Sequence, residues 1–392
     1  MRVADAREFE GQAATLESIG DADALILPEI GVALISGDAA QERNMSAQSE
    51  LAADSPVESI DPEYFQFAAN YPGQFLSGFA QAAQTAETKS SDYLRGFLRA
   101  ADIIAKDLQQ GNGQQQMEIE EEVQVLGATW GLIACKVPPS LRSGIGIKVA
   151  VLDTGFDLGH PDFAGRPVFS ATFVGQPVQD LNGHGTHCTG TACGPKAPAG
   201  SIPRYGIGYR SSINIGKVLT NSGSGTMAGV LAGMNWAIAN RCPVISMSLG
   251  AQIGVQPAYT AAGQSALNNG CLIIAAAGNT QNGFTGAPAN SPTIMAVASL
   301  DRTLTPSIFS CLGKIEIAAP GRDIFSSWPR PTRYNTISGT SMATPHVAGC
   351  AALWAETSPN LRGIALWRKL QATAKALPFP ATRVGAGLVQ AP

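Results

Sequence analysis

Charged side chains are scarce in this chain of 392 residues. They make up 14% of it and hydrophobic residues 45%, whereas an average globular chain carries about 25% charged residues. This balance excludes a disordered chain and predicts a well-buried core. A membrane helix requires about 18 apolar residues in a row. Residues 271–278 are too few, and Pro28 and Glu29 interrupt residues 24–37. We expect neither a membrane nor a nucleic acid as a partner.

Signals of export and of metal binding are also lacking. The N-terminal stretch "MRVADAREFEGQ" has no apolar core of the kind found in secretory signals. The sequence therefore predicts a cytoplasmic protein or one exported by another route. The seven cysteines all follow residue 134, their number is odd, and none has zinc-site spacing. We expect them to be small buried hydrophobic residues.

Basic side chains are few in the first part of the chain, and acidic side chains are few in the second part. Residues 1–124 hold 22 acidic and 7 basic side chains, a net charge of −15, and residues 125–392 hold 8 and 19, a net charge of +11. Bodies with opposite fields attract each other. We expect the acidic N-terminal domain, residues 1–124, to dock on the basic domain, residues 125–392. The alternatives are a soluble acidic tail beside an unrelated basic domain, and a permanent accessory domain that binds a partner.

The N-terminal domain reads as a small α+β unit. It contains one strand-like run at residues 24–37, a helical pattern over about residues 62–110, and an alternating segment at 117–123 that is typical of an edge strand. The clearest amphipathic helix covers residues 91–108. The polar stretch "QQGNGQQQ" breaks this pattern, so the domain boundary is expected within about residues 110–126.

The second domain alternates short apolar runs with helical patterns, which predicts an α/β fold. Runs buried on both faces and separated by helices indicate a mostly parallel sheet covered by helices on both faces. Strands are expected at residues 147–153, 213–219, 243–249, 271–277, 293–300 and 315–319, and helices at 226–240 and 257–269. In such sheets the chemistry collects at the carboxyl ends of the strands.

Polar side chains follow these strands directly. Asp153 ends "VAVLDTG" and Asn279 ends "AAAGN". An aspartic protease needs two D-T-G carboxylates that share a proton; this chain has one, so that function would require a homodimer. His184 and His187, in "GHGTHCTG", could form a metal pair, but no glutamate lies near them as in zinc hydrolases. His184 could also act as a general base, because the unperturbed pKa of a histidine is about 6.5.

Ser341 opens an apolar, helix-like run in "GTSMATPHVAG". Unpaired N–H groups at a helix N-terminus favour negative charge. A serine becomes a nucleophile when a histidine takes its proton and a carboxylate orients that histidine. Asp153, His184 and Ser341 offer such a set. Pro345 lies within the first turns of the helix, a local cost that a simple helix cap would not require.

These stretches, in the order Asp, His, Asn, Ser, resemble the subtilisin-like serine proteases (subtilases, peptidase S8). The resemblance rests on "VAVLDTGFDLGHPDF", "GHGTHCTGT", "SMSLG", "AAAGN" and "GTSMATPHVAG", and it covers about residues 126–392. It implies that Ser341 attacks the peptide carbonyl and that His184 transfers the proton. Asp153 would orient His184, and Asn279 would hold the oxyanion together with the backbone N–H of Ser341. No cofactor is needed for that chemistry.

The resemblance also implies where a peptide or protein substrate binds. The peptide would lie as an extended strand between residues 223–225 and 248–250, where glycines let backbones approach. The pocket for the residue before the cut would be walled by residues 248–250, 275–278 and 286–289. These walls hold no carboxylate, which favours apolar or uncharged side chains. The expected substrate-binding residues are Gly223, Ser224, Gly225, Ser248, Leu249, Gly250 and Gly278.

Three further expectations follow from the resemblance. Cys188 is similar to the free cysteine of the proteinase K branch. Asp162 occupies a position that often coordinates structural calcium, although the loop at 194–208 lacks the usual asparagine. The N-terminal domain matches subtilase prosegments in position, which implies a serine endopeptidase made as a self-processed precursor and cut within about residues 110–126. The alternatives are a peptide ligase or macrocyclase, or a protease held inactive by its N-terminal domain.

Overall fold

The computed structural model describes residues 3–9, 22–36, 60, 62–68, 127–281 and 283–392. The expected domain boundary at 110–126, the helix at 91–108 and the strand at 117–123 lie outside these ranges. Among the described helices, none is both long enough and apolar enough to span a bilayer.

Fifteen strands and seven α-helices are described. The strands are β1 (Val3–Asp5), β2 (Ala24–Leu27), β3 (Val32–Ile35), β4 (Phe65–Ala68), β5 (Lys148–Asp153), β6 (Val168–Thr172), β7 (Ser212–Lys217), β8 (Ser224–Thr226), β9 (Val244–Met247), β10 (Leu249–Gly250), β11 (Leu272–Ala276), β12 (Met295–Leu300), β13 (Ile317–Pro320), β14 (Ile324–Ser327) and β15 (Tyr334–Ile337). The helices are α1 (Trp130–Ala134), α2 (His184–Cys193), α3 (Met227–Ala239), α4 (Pro257–Asn268), α5 (Thr340–Thr357), α6 (Gly363–Thr373) and α7 (Ala381–Val384).

The centre of the second domain is a seven-stranded sheet in the order β13-β12-β11-β9-β5-β7-β6. Every pair in it is parallel. Helices α2 and α5 pack against each other, and α3 and α4 do so separately. Strands β9, β11 and β12 are buried along their whole length, as expected for a sheet covered on both faces. The expected α/β architecture is confirmed.

The order of the strands places the site. From β5 the chain moves to β7 on one side and then returns through α3 to β9 on the other side. This reversal creates a crevice at the carboxyl ends of β5 and β9, where ligands bind in open α/β sheets. Asp153 ends β5, and Ser248 follows β9 directly.

The described N-terminal residues form a separate small sheet in the order β1-β2-β3. The expectation of one strand over residues 24–37 is wrong, because a turn at residues 28–31 folds the run into the antiparallel pair β2–β3. Gly31 supplies the positive φ of 66° in this turn. Leu25 and Leu27 are buried in the same apolar cluster as the second domain. The backbone N–H of Glu29 donates to Oδ1 of Asn235 at 2.9 Å.

Strand β4 lies between two strands of the second domain. It is the central member of a three-stranded antiparallel sheet in the order β10-β4-β8. The expectation of helix from residue 62 onward is therefore wrong for residues 65–68. Two unpaired strand edges offer this segment backbone hydrogen bonds, and such tertiary pairing overrides a local helical pattern.

Candidate active site

Asp153 and His184 form a buried pair at the sheet edge. The Nδ1–H group of His184 donates to Oδ1 of Asp153 at 2.6 Å, and both side chains are fully buried. Asp153 comes from the end of β5, and His184 is the first residue of α2. The bond fixes the tautomer of the ring and leaves Nε2 without a proton and able to accept one.

A second buried carboxylate connects the strand of Asp153 to the helix of His184. Oδ1 of Asp180 accepts the hydroxyl of Thr154 at 3.0 Å and the N–H of Gly183 at 2.9 Å. Oδ2 accepts the N–H of Thr186 at 2.9 Å and its hydroxyl at 2.8 Å. Thr154 in turn donates its N–H to Oδ1 of Asp153 at 2.7 Å. Asp180 therefore sets the distance between the two members of the pair.

A buried ammonium group completes this network. The side chain of Lys217, at the end of β7, donates to the carbonyl of Thr154 and to Oδ1 of Asn221, the latter at 2.8 Å. Burial lowers the pKa of Lys217, while the nearby carboxylates of Asp180 and Asp153 act in the opposite direction. The cation thus offsets part of the negative charge that the site keeps away from water.

Ser341 is fully buried in the first turn of α5. Pro345 explains which groups its carbonyl bonds to. Residue 345 would normally donate its N–H to the carbonyl of residue 341, but proline has no N–H. The carbonyl of Ser341 accepts the hydroxyl of Ser248 at 2.8 Å instead, and the thiol of Cys188 at 3.5 Å. The proline therefore frees an acceptor that anchors the serine to β9 and to α2.

The hydroxyl of Ser341 donates to the carbonyl oxygen of Ser248 at 3.0 Å. Nε2 of His184 is buried and has no hydrogen-bond partner among the described residues. Cys188 links the two, since its sulfur lies 4.0 Å from Nδ1 of His184 and contacts the carbonyl of Ser341. Ser341 and His184 therefore lie in one compartment, and the serine hydroxyl is turned to a backbone acceptor.

Asn279 lies beside the start of the same helix. Its Oδ1 accepts the N–H of Thr340 at 2.9 Å and the hydroxyl of Thr340 at 3.0 Å. These bonds fix the amide so that its NH₂ group, its only donor, is oriented by the residue next to Ser341. Gly278 supports the arrangement, because its N–H donates to the hydroxyl of Thr340 at 3.1 Å.

Five of the expected substrate-binding residues, those at 223–225 and 249–250, form two edges of one cleft, and β4 lies between them. On one edge Gln66 pairs with Gly225, and the N–H of Ala68 donates to the carbonyl of Gly223 at 2.9 Å. On the other edge Ala68 pairs with Leu249. Ser224 and Gly250 both pair with Phe67.

Two glycines of the cleft are explained by packing within the chain itself. A methyl group added at Gly225 would lie 2.2 Å from the carbonyl oxygen of Val218, and one at Gly250 would lie 2.9 Å from that of Ala287. Gly223 differs, because its φ of 82° favours glycine whatever the space. Close approach by a peptide is therefore not needed to account for any of the three.

Burial and nearby charges shift the pKa values of His184, His187 and Cys188 in different directions. Burial disfavours the imidazolium of His184, but the Asp153 carboxylate outweighs it and raises the pKa of His184 well above its ordinary value. Burial lowers the pKa of His187 to about 3, and its ring donates to the carbonyl of Ile324 at 2.9 Å. Burial also raises the pKa of the Cys188 thiol. His184 is the histidine of this pair that gains a proton readily, which disfavours a metal site at His184 and His187.

A profile of the subtilase family, peptidase S8, matches residues 144–387. The chain belongs to the subtilase family. It is 41% identical to thermitase of Thermoactinomyces vulgaris over 57% of this chain and 80% of that protein. It is 36% identical to an alkaline protease of Alkalihalobacillus alcalophilus over 75% of this chain and 77% of that protein. It is 38% identical to subtilisin Savinase of Lederbergia lenta over 67% of this chain and 96% of that protein. The chain is thus a subtilisin-type serine endopeptidase.

The residues around Asp162 in this subtilase do not fit the expected calcium site. Ca²⁺ takes six to eight oxygen ligands. Oδ2 of Asp162 accepts the hydroxyl of Tyr205 at 2.5 Å, and both oxygens lie 3.1 Å from the hydroxyl of Tyr334. Asp153, His184 and Cys188 are the only three His, Cys, Asp or Glu residues in the described ranges whose ligand atoms cluster. Tyrosine hydroxyls account for the position of Asp162 without a metal.

Sequence reasoning missed the supporting residues of this subtilase. The motifs predict no role for Thr154, Asp180 and Lys217. They predict only substrate binding for Ser248. The sequence carries a signal for Asp180 only, since an aspartate shortly before a helix, here in "DLNGHGTH", is typical of a helix N-terminus. Lys217 gave none, because its burial depends on the neighbouring strand.

Replacing Asp180 by asparagine tests its role in the site. The amide loses the negative charge and presents an NH₂ group to donors that need an acceptor, so α2 shifts relative to β5. We expect kcat/KM for a peptide substrate to fall about 100-fold, as for a misplacement of about 1 Å, with a lower Tm. The control is Asp301→Asn, which alters an aspartate that accepts from Thr303 and Thr305 in a loop. Activity of Asp180→Asn within twofold of the control would contradict this role.

Proposed function

We propose that this endopeptidase cleaves peptide bonds through Asp153, His184 and Ser341, and that it is made as a precursor held inactive by its N-terminal domain until it cuts itself. The observation that carries the proposal is the buried Asp153–His184 pair next to Ser341, with a segment of the same chain paired into the cleft beside it.

The geometry supports a sequence of proton transfers. The Ser341 hydroxyl rotates from the carbonyl of Ser248 to Nε2 of His184, which has no other described partner. His184 takes the proton as the oxygen attacks the substrate carbonyl, and later gives it to the leaving amine. Asp153 stabilises the imidazolium, in keeping with the raised pKa of His184. Water then releases the acyl group by the same steps.

The developing oxyanion would lie between Asn279 and the start of α5. The backbone N–H of Ser341 and the NH₂ group of Asn279 would both donate to it. Because Oδ1 of Asn279 is already held by Thr340, the donor needs no reorganisation in the transition state, which is the condition for strong electrostatic catalysis.

Inhibition by the N-terminal domain is supported by contacts and charge. Strand β4 fills the cleft that a substrate strand would use. Leu25 and Leu27 pack into the apolar cluster of the second domain, and Glu29 bonds to Asn235 and Ser265. The opposite net charges of residues 1–124 and 125–392 favour the same association.

Replacing Asn279 by alanine tests the oxyanion assignment. We expect kcat to fall about 10²–10³-fold with little change in KM, the loss found when subtilisin loses its asparagine donor. Steady-state kinetics on a peptide substrate gives both constants. Asn269→Ala is the control, because that side chain donates to the carbonyl of Ser265 on the surface. A loss confined to KM would contradict the assignment.

Replacing Ser341 by alanine tests the nucleophile and self-processing together. We expect the variant to lose about 10⁶-fold in kcat, to resist labelling by a fluorophosphonate probe, and to stay whole by intact mass. The wild type should be labelled at Ser341 and shortened. Ser338→Ala is the control, since its hydroxyl bonds to Asp323. Equal shortening of the wild type and Ser341→Ala would assign the cut to another protease.

A further inference from the structure

The pairing of β4 gives the position at which the chain cuts itself. We propose that the cut follows Ala69, so that residues 70–126 remain attached to the catalytic domain. This inference rests on the self-processing proposed above. It differs from the cut expected within residues 110–126, a region outside the described residues.

The register of β4 on β10 leads to Ser341. Phe67 pairs with Gly250 and Ala68 with Leu249. The strands are antiparallel, so one step forward from Ala68 corresponds to one step back from Leu249, which is Ser248. The carbonyl of Ser248 accepts the hydroxyl of Ser341 at 3.0 Å. The register of these described residues therefore favours the bond after Ala69 as the one that Ser341 attacks.

Contacts upstream of β4 hold this register. The first backbone N–H groups of α3 are unpaired within the helix. The N–H of Met227 donates to the carbonyl of Tyr64 at 2.8 Å, and that of Ala228 donates to the carboxylate of Glu63 at 3.4 Å. A carboxylate at a helix N-terminus is also favoured by the helix dipole. A slip of β4 by one residue would break both bonds and the ladder.

Burial shows that β4 is bound by its side chains as well. Gln66, Phe67 and Ala68 are 0%, 7% and 4% exposed, whereas Phe65 is 61% exposed. The amide of Gln66 has no hydrogen-bond partner for either polar atom among the described residues. A buried unpaired amide weakens the hold of the segment, which favours its release once the chain behind it is cut.

The charge distribution follows the proposed cut. Residues 1–69 hold 14 acidic and 3 basic side chains, a net charge of −11, which equals in size the +11 of residues 125–392. A cut after Ala69 therefore separates the fragment with most of the negative charge from the basic enzyme. The catalytic chain left behind has 323 residues.

The test compares three full-length chains by intact mass and N-terminal sequencing: the wild type, Ala69→Asp and the matched variant Leu126→Asp. The walls of the expected pocket hold no cation, so an aspartate at position 69 places an unpaired charge there. We expect the wild type to yield a product that begins at Asn70, Ala69→Asp to be cut at that bond at least about tenfold more slowly, and Leu126→Asp to be cut as the wild type.

Two synthetic peptides give a second readout with the processed enzyme. Residues 62–73, "PEYFQFAANYPG", contain the proposed bond, and residues 118–129, "EIEEEVQVLGAT", contain the end of the region expected from sequence. We expect the first to be cut between Ala69 and Asn70 and to be the better substrate. Fluorophosphonate labelling and casein hydrolysis of the same sample test the proposed function separately.

The outcomes are distinguishable. A labelled, casein-cleaving enzyme whose N-terminus lies within residues 110–126, and whose processing is blocked by Leu126→Asp and unaffected by Ala69→Asp, overturns this inference and leaves the proposed endopeptidase intact. An active chain that stays whole and does not cut the first peptide also overturns it. Absence of both labelling and hydrolysis overturns the proposed function itself.

Discussion

The structure depends on one short hydrogen bond in a place without water. Asp153 and His184 are both fully buried and are joined at 2.6 Å. A carboxylate removed from water is costly unless it is paired and hydrogen-bonded. The fold meets this cost with Asp180 and Lys217, two further buried charged groups that meet at Thr154. The site is therefore a network of four ionisable groups held by one strand end and one helix start.

The position of Ser341 depends on a hydrogen-bond donor that the helix lacks. Pro345 removes the N–H that would have paired with the carbonyl of Ser341, and that carbonyl then bonds to Ser248. The same residue accepts the Ser341 hydroxyl. Ser248 thus binds Ser341 at two atoms and also precedes the strand edge to which β4 pairs. This one position therefore connects the surroundings of Ser341 to the cleft that β4 occupies.

The sequence predicted the catalytic domain well for a physical reason. Runs such as residues 149–152 and 271–277 are apolar throughout, so burial on both faces decides them locally, and the polar residues after them must lie at one edge. The prediction from sequence failed where residues far apart in the chain determine the local structure. Residues 65–68 carry a helical pattern, yet two strand edges more than 150 residues away make them β4. Lys217 reads as a surface lysine until β5 is placed beside it.

The most direct test of the account is to titrate His184 in the full-length Ser341→Ala chain and to monitor the titration by NMR. The account predicts a pKa well above the ordinary value of about 6.5, because the Asp153 carboxylate favours the imidazolium. In the additional variant Asp153→Asn the contribution of this carboxylate is lost while burial still disfavours the imidazolium, so the pKa of His184 should fall. A pKa of His184 at or below 6.5 with Asp153 present, or one that Asp153→Asn leaves unchanged, would contradict it.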